Sequence, residues 1–130
     1  MEQITFSNVE AQVVGYLAPL AGVPAYRVIP AARPTSFVRV LLTGTRRLGL
    51  TQADASVTLE CWAASDAAAH DLARKVYGLM CAMDLADGSH VPDGEDGWAG
   101  GPYPSPDPDS GTPRYVMTAV VRQPAILLEA

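Results

Sequence analysis

The sequence predicts an α+β fold: a mostly antiparallel four- to five-stranded sheet with two helices packed on one face. Three observations predict it. Residues 36–45 (SFVRVLLTGT) and 55–63 (ASVTLECWA) are β-branched and alternating, as paired strands are. Residues 65–85 are alanine-rich, with apolar positions at helical spacing. Residues 114–122 (RYVMTAVVR) alternate again and supply a final strand. Helix, strand, hairpin, helix, strand is the order of a helix-covered antiparallel sheet.

The first helix is expected over residues 8–18. Ser7 stands as N-cap with Glu10 three residues on, a capping box, and Val9, Val13, Tyr16, Leu17 and Leu20 form one apolar face. Gly22 and Pro24 end it. "AYRVI" then reads as a short strand, and the prolines at 30 and 34 bound a stiff connector. In the following pair of strands Val38, Val40 and Leu42 share one face, as do Val57, Leu59 and Cys61. Residues 44–54 between them read as a long polar hairpin loop whose tip carries Arg46 and Arg47. Ser65 caps the second helix, whose stripe of Ala69, Leu72, Ala73, Val76, Leu79, Met80 and Met83 should lie across the sheet.

Residues 88–113 change character. They hold six of the eleven glycines, six of the eleven prolines and five acids, with no Lys or Arg. One short strand near Trp98 is expected there, followed by an extended, turn-rich projecting loop. In the last strand Tyr115, Met117, Ala119 and Val121 share a face. The tail, residues 124–130, is apolar at Ile126, Leu127 and Leu128 without an evident place in the core.

At 130 residues and 13.7 kDa the chain is one domain's worth of sequence, with enough apolar residues for a modest core. A net charge of −5 argues against a general nucleic-acid binder. No secretory signal and no apolar run of membrane-spanning length is read, so a cytosolic setting with reduced thiols is expected. The charge is uneven. Residues 1–50 set five arginines against two acids, a balance of +3; residues 51–130 set four basic residues against twelve acids, a balance of −8. Opposed charge of this kind suits head-to-tail contact between copies, although scattered surface charge would give the same count.

Chemistry is not encoded in any recognisable pattern. Cys61 and Cys81 lie twenty positions apart and His70 and His90 pair with neither, whereas zinc sites use close-spaced ligand pairs. Both cysteines are expected to be packed thiols. A nucleophile elbow, a phosphate-binding loop and a dinucleotide fingerprint are all missing. Asp107 and Asp109 resemble a carboxylate pair, but a proline-punctuated loop holds a catalytic dyad poorly. No enzyme activity, cofactor or metal is expected.

Several stretches together resemble the tail terminator proteins of long-tailed (siphovirus-type) bacteriophages infecting actinobacteria. They are "VEAQVVGYL", "RPTSFVRVLLTG", "LECWAASDAAAHDLARKVYGL" and, most specifically, "GGPYPSPDPDSGTPRYVMTAVVR". The last sets Gly101-Pro102, Pro106-Asp107-Pro108, Ser110-Gly111 and Pro113-Arg114-Tyr115 at the family's spacing. The similarity covers nearly the whole chain except "AILLEA". It implies a virion structural protein forming a six-fold ring at the head-proximal end of the tail tube. Such a ring stops tube polymerisation and joins the tail to head-completion proteins. The implied partners are copies of itself, the major tail tube protein and the neck connectors, with the genome passing through the ring. It implies no membrane and no sequence-specific nucleic-acid contact. Another neck or tail-completion protein of the same virion, or a small intracellular enzyme or binding domain, are the alternatives. The expected contact residues are Arg46, Arg47, Pro106, Asp107, Asp109, Arg114, Ile126, Leu127 and Leu128.

Overall fold

The computed structural model describes residues 3–128. In chain order it contains β1 (Gln3–Thr5), α1 (Val9–Leu17), β2 (Ala25–Tyr26), β3 (Phe37–Arg47), β4 (Gln52–Trp62) and α2 (Asp66–Cys81). A 3-10 turn, Gly94–Gly97, leads into β5 (Trp98–Pro104), which is followed by β6 (Arg114–Pro124) and β7 (Ile126–Leu128). Five strands form one sheet in the order β2-β3-β4-β6-β5, antiparallel except for β2 against β3. The chain is thus α+β with a mostly antiparallel sheet, as its sequence predicts.

Alternation decides which face is covered. Val38, Val40, Val57, Leu59, Cys61, Met117, Ala119 and Val121 are buried in one cluster with Val9, Val13 and Leu17 of α1 and Leu72, Val76 and Met80 of α2. Burying these side chains is the main favourable term holding both helices to the sheet. α2 starts where Ser65 Oγ accepts the Ala68 amide at 3.1 Å. Tyr16 adds a polar tie between the helices, its hydroxyl donating to the Leu79 carbonyl at 2.5 Å.

Several expectations are corrected. Asn8, not Ser7, caps α1, accepting the Ala11 amide at 3.1 Å. Glu10 does not close a capping box. Its carboxylate accepts the Leu42 amide at 2.8 Å and pairs with Arg27 at 3.2 Å, sealing part of the outer edge of β3. The "AYRVI" strand keeps only Ala25 and Tyr26 in the sheet, and Val28 is exposed. Leu42 is exposed as well, although it keeps the phase of Val38 and Val40 and pairs with Val57; the register shifts only after it, before Gly44. Cys81 is exposed rather than packed.

The two expected excursions also differ. β3 runs on through Arg47 and β4 begins at Gln52, so the 44–54 loop shrinks to a four-residue turn, residues 48–51. β5 runs to Pro104, so residues 98–104 are strand and only 105–113 form a loop. Gly101 explains how a glycine- and proline-rich strand is accommodated. Its φ is +83°, and an added Cβ would stand 2.5 Å from the Val116 carbonyl oxygen of β6, which only glycine allows. The apolar tail finds a partner too, with β7 pairing antiparallel to β1. The side chain of Leu128 and residues 129–130 lie outside the described residues.

Candidate functional site

The expected contact residues separate into two groups at opposite ends of the long central strands. β4 pairs with β6 from Gln52↔Pro124 at one end to Trp62↔Arg114 at the other. Eleven strand residues span roughly 33–37 Å, so one side chain cannot serve both ends.

At the hairpin end, Asp54 of β4 sits between Arg46 of β3 and Arg122 of β6. Arg122 grips it with both Nε and Nη2, at 2.8 and 3.1 Å. Hydrogen bonding to Asp54 is the first cause that raises the Arg122 pKa above its ordinary value. Arg46 is 79% exposed and touches Asp54 only at 4.0 Å, leaving most of its guanidinium to solvent. Arg47 donates Nε to the Gly49 carbonyl at 2.8 Å and closes its own turn. The exposed side chains of Leu48 and Leu50 follow in that turn. The Ala125 amide donates to the Thr51 carbonyl at 2.8 Å, which brings the start of β7, with exposed Ile126 and Leu127, against it. This end combines a largely exposed guanidinium with exposed apolar side chains.

At the other end, the 105–113 loop is a tied connection, not a slack one. The Asp107 carboxylate accepts the Ser110 hydroxyl at 2.6 Å and the Ser110 amide at 3.1 Å. Its amide donates to the Thr112 carbonyl, and its carbonyl accepts from Gly111. The Ser110 hydroxyl is the first cause holding the Asp107 carboxyl below its ordinary value. Asp107 is therefore committed to its own turn, while Pro106 and Asp109 border it. Arg114 donates Nε to the Ser105 carbonyl at 2.8 Å and approaches Glu60 at 3.5 Å.

Five residues outside the expected contacts gather here. Glu60 is nearly buried, paired with Arg39 at 3.7 Å on one side and Arg114 on the other, and it accepts the Trp62 indole N–H at 3.3 Å. Phe37 stacks on Trp62 with centroids 5.2 Å apart, and Arg33 lies over the same indole at 4.7 Å. A groove of about 350 Å³ opens beside this cluster, lined by Arg33, Thr35, Phe37, Trp62 and Thr112 among others. The signal was present in the strand alternation, which puts Arg39 and Glu60 on the face away from the helices. Only the antiparallel register, Arg39↔Glu60 and Trp62↔Arg114, shows that they meet.

A second groove, about 570 Å³, is lined by Cys81, Asp84, His90 and Asp93. The His90 Nδ1 is engaged with the Gly88 carbonyl at 2.9 Å, and no group of three or more metal-ligating side chains occurs among the described residues. The Cys61 thiol, pushed up to about 12 by burial and then by the adjacent Glu60 charge, is protonated at neutral pH. Among the described residues, no helix is long and apolar enough to cross a membrane. No protein-family model matches the chain, and neither does any curated protein.

Proposed function

We propose that the protein is a bacteriophage tail terminator, a structural protein that assembles as a ring, six copies in number, at the head-proximal end of the tail tube. There it halts tube growth and joins the tail to the head-completion proteins, acting in the virion and assembling in the host cytoplasm. The observation that carries this reading is the sequence resemblance, which runs along nearly the whole chain and is densest from Gly101 to Tyr115. Two features support it. The α+β fold is the one the resemblance implies. The chain also presents two unlike surfaces at opposite ends of its sheet, one apolar with Arg46 and the other rich in arginine beside Trp62. Closed rings need such unlike, complementary patches, because each copy meets its neighbour head to tail.

The test belongs in the phage that encodes the chain. Removing its gene product should yield tails of uncontrolled length that fail to join heads, and supplying the protein in trans should restore both. Tails of normal length that merely stay unjoined would instead make it another neck protein, and unaffected virions would end the reading.

A further inference from the structure

Arginines from both parts of the chain converge on one indole. Arg33 and Arg114 both face the Trp62 ring, at 4.7 and 5.2 Å, and Arg39 and Arg114 share the single carboxylate of Glu60. Three guanidinium groups thus stand against the Glu60 carboxylate, with Asp107 also within electrostatic reach of Arg114, which still leaves a local excess of positive charge on a chain of net charge −5. The ion pairs to Glu60 are long, and the buried Arg39 Nε–H has no acceptor among the described residues. Buried donors are normally satisfied, so this cluster has more donor capacity than its own carboxylate uses. The groove of about 350 Å³ adjoins it, with Arg33 on its wall.

We propose that this groove takes a carboxylate-bearing segment from a second copy of the chain, namely its acidic stretch of residues 84–96. The proposal rests on the self-assembly part of the function proposed above. Charge selects the segment. Asp84, Asp87, Asp93, Glu95 and Asp96 fall in a run, residues 76–113, that holds no Lys or Arg. Position excludes the same chain as donor. Glu95 and Asp96 line a hollow with Asp54 and Arg122, near the opposite end of β4 from Trp62. Eight strand residues separate Asp54 from Trp62, roughly 26 Å, too far for the turn to fold back without leaving its place.

The groove's chemistry favours a protein carboxylate over a phosphate backbone. Trp62 is only 3% exposed, so it offers no open face for a stacked base. Against free phosphate, largely dianionic at neutral pH, the Glu60 charge within the cluster gives a further preference for a singly charged carboxylate.

The test titrates a synthetic peptide of residues 82–99 into the full-length protein and follows the Trp62 indole N–H by NMR. Binding should shift that signal and weaken steeply with added salt. Arg33→Glu should lower affinity at least tenfold, and Arg33→Gln by less; Arg33 is exposed, and thermal melts of each variant check that it stays folded. A peptide with Asp93, Glu95 and Asp96 as amides should bind as weakly as the charge-reversed protein binds the parent. The same Arg33→Glu change should reduce self-association of the full chain by light scattering. Peptide binding that ignores Arg33, shifts only signals remote from Trp62, or is displaced by an oligonucleotide or millimolar inorganic phosphate would overturn the proposal. In that event the terminator reading stands if loss of the protein still gives overlong tails. Conversely, groove binding in a protein whose removal leaves virions normal would retain this site and discard that reading.

Discussion

Replacing Glu60 by Gln should move stability and binding in opposite directions. The amide keeps the acceptor for the Trp62 indole but removes the charge shared by Arg39 and Arg114. A hydrogen bond to a charged group is worth about 1.5–3 kcal/mol when well formed. Here the contacts are 3.7 and 3.5 Å long, and the Arg39 side chain is 33% exposed, so solvent screens part of the interaction. A total loss of about 1–3 kcal/mol is expected, below the cost of breaking a fully buried pair. For a domain of this size that lowers Tm by about 3–15 °C. The same change raises the positive charge at the groove by one. A unit charge acting at about 8 Å in a largely aqueous surrounding contributes about 0.5–1 kcal/mol, so affinity for the acidic peptide should rise two- to fivefold. Thermal melts and peptide titration on one preparation read both numbers. A variant as stable as the parent would show that Glu60 is not the counter-ion of this cluster. Weaker peptide binding would show that Glu60 orders the arginines in a way that outweighs its charge.

Gly101→Ala should destabilise the fold by about 2 kcal/mol or more, since the left-handed backbone alone costs roughly 1–2 kcal/mol and the new Cβ would also strike β6; chemical denaturation measures the loss, and a neutral result would place β5 wrongly. A thiol reagent at neutral pH should label Cys81 quickly and Cys61 only on unfolding, as mass spectrometry of each peptide would report. Because the Cys61 pKa is raised from 9.0 to about 12, its contribution to stability is complete below pH 9 and is lost as pH rises through about 12; Cys61→Ser should remove that alkaline slope, and an unchanged slope would assign it to other groups.

Much of the fold was legible because alternation and helical spacing report burial directly. Leu72, Val76, Met80, Val57, Leu59 and Met117 lie where their periodicity puts them. What was hidden depended on partners remote in sequence. Glu10 looked like half of a capping box, yet it serves β3, since a carboxylate in the first turn of a helix also reaches a neighbouring strand edge. The glycine and prolines of residues 101–104, beyond the short strand expected near Trp98, read as loop because propensity omits the pairing that β6 provides. Arg46 and Arg47 read as a loop tip because polar residues are read as exposed; they are exposed, but in strand conformation, opposite Asp54 and Ala53. Of the contact residues, Arg114 belongs to the arginine cluster, whereas Asp107 is absorbed by its own turn. Arg33, Arg39 and Glu60 escaped notice because cross-strand register, not spacing along the chain, brings them together.

The separation of the two ends bears on how copies would hold together. Exposed ion pairs contribute only about 0–1 kcal/mol each, so Arg33 and Arg46 can orient a neighbour without supplying most of its affinity. The hairpin end has the better source. Leu50 and Leu127 are 74% and 55% exposed, with Ile126 beside Leu127 on β7. Burying such side chains contributes about 1.5–3 kcal/mol apiece when exposure is fully removed. Arg46, at the same end of the sheet, lines a hollow with Asp54, Glu95 and Asp96 and is 79% exposed, so reversing its sign would repel an acidic neighbour while leaving the apolar area intact. At the far end the aromatic walls of the arginine cluster, Phe37 and Trp62, are covered, and Tyr103 of β5 is exposed nearby in the sheet, fewer large apolar side chains than the hairpin end presents. Affinity and orientation therefore arise at different places on the chain. In head-to-tail assembly, salt should weaken the selection of partners more than it weakens the apolar contact itself.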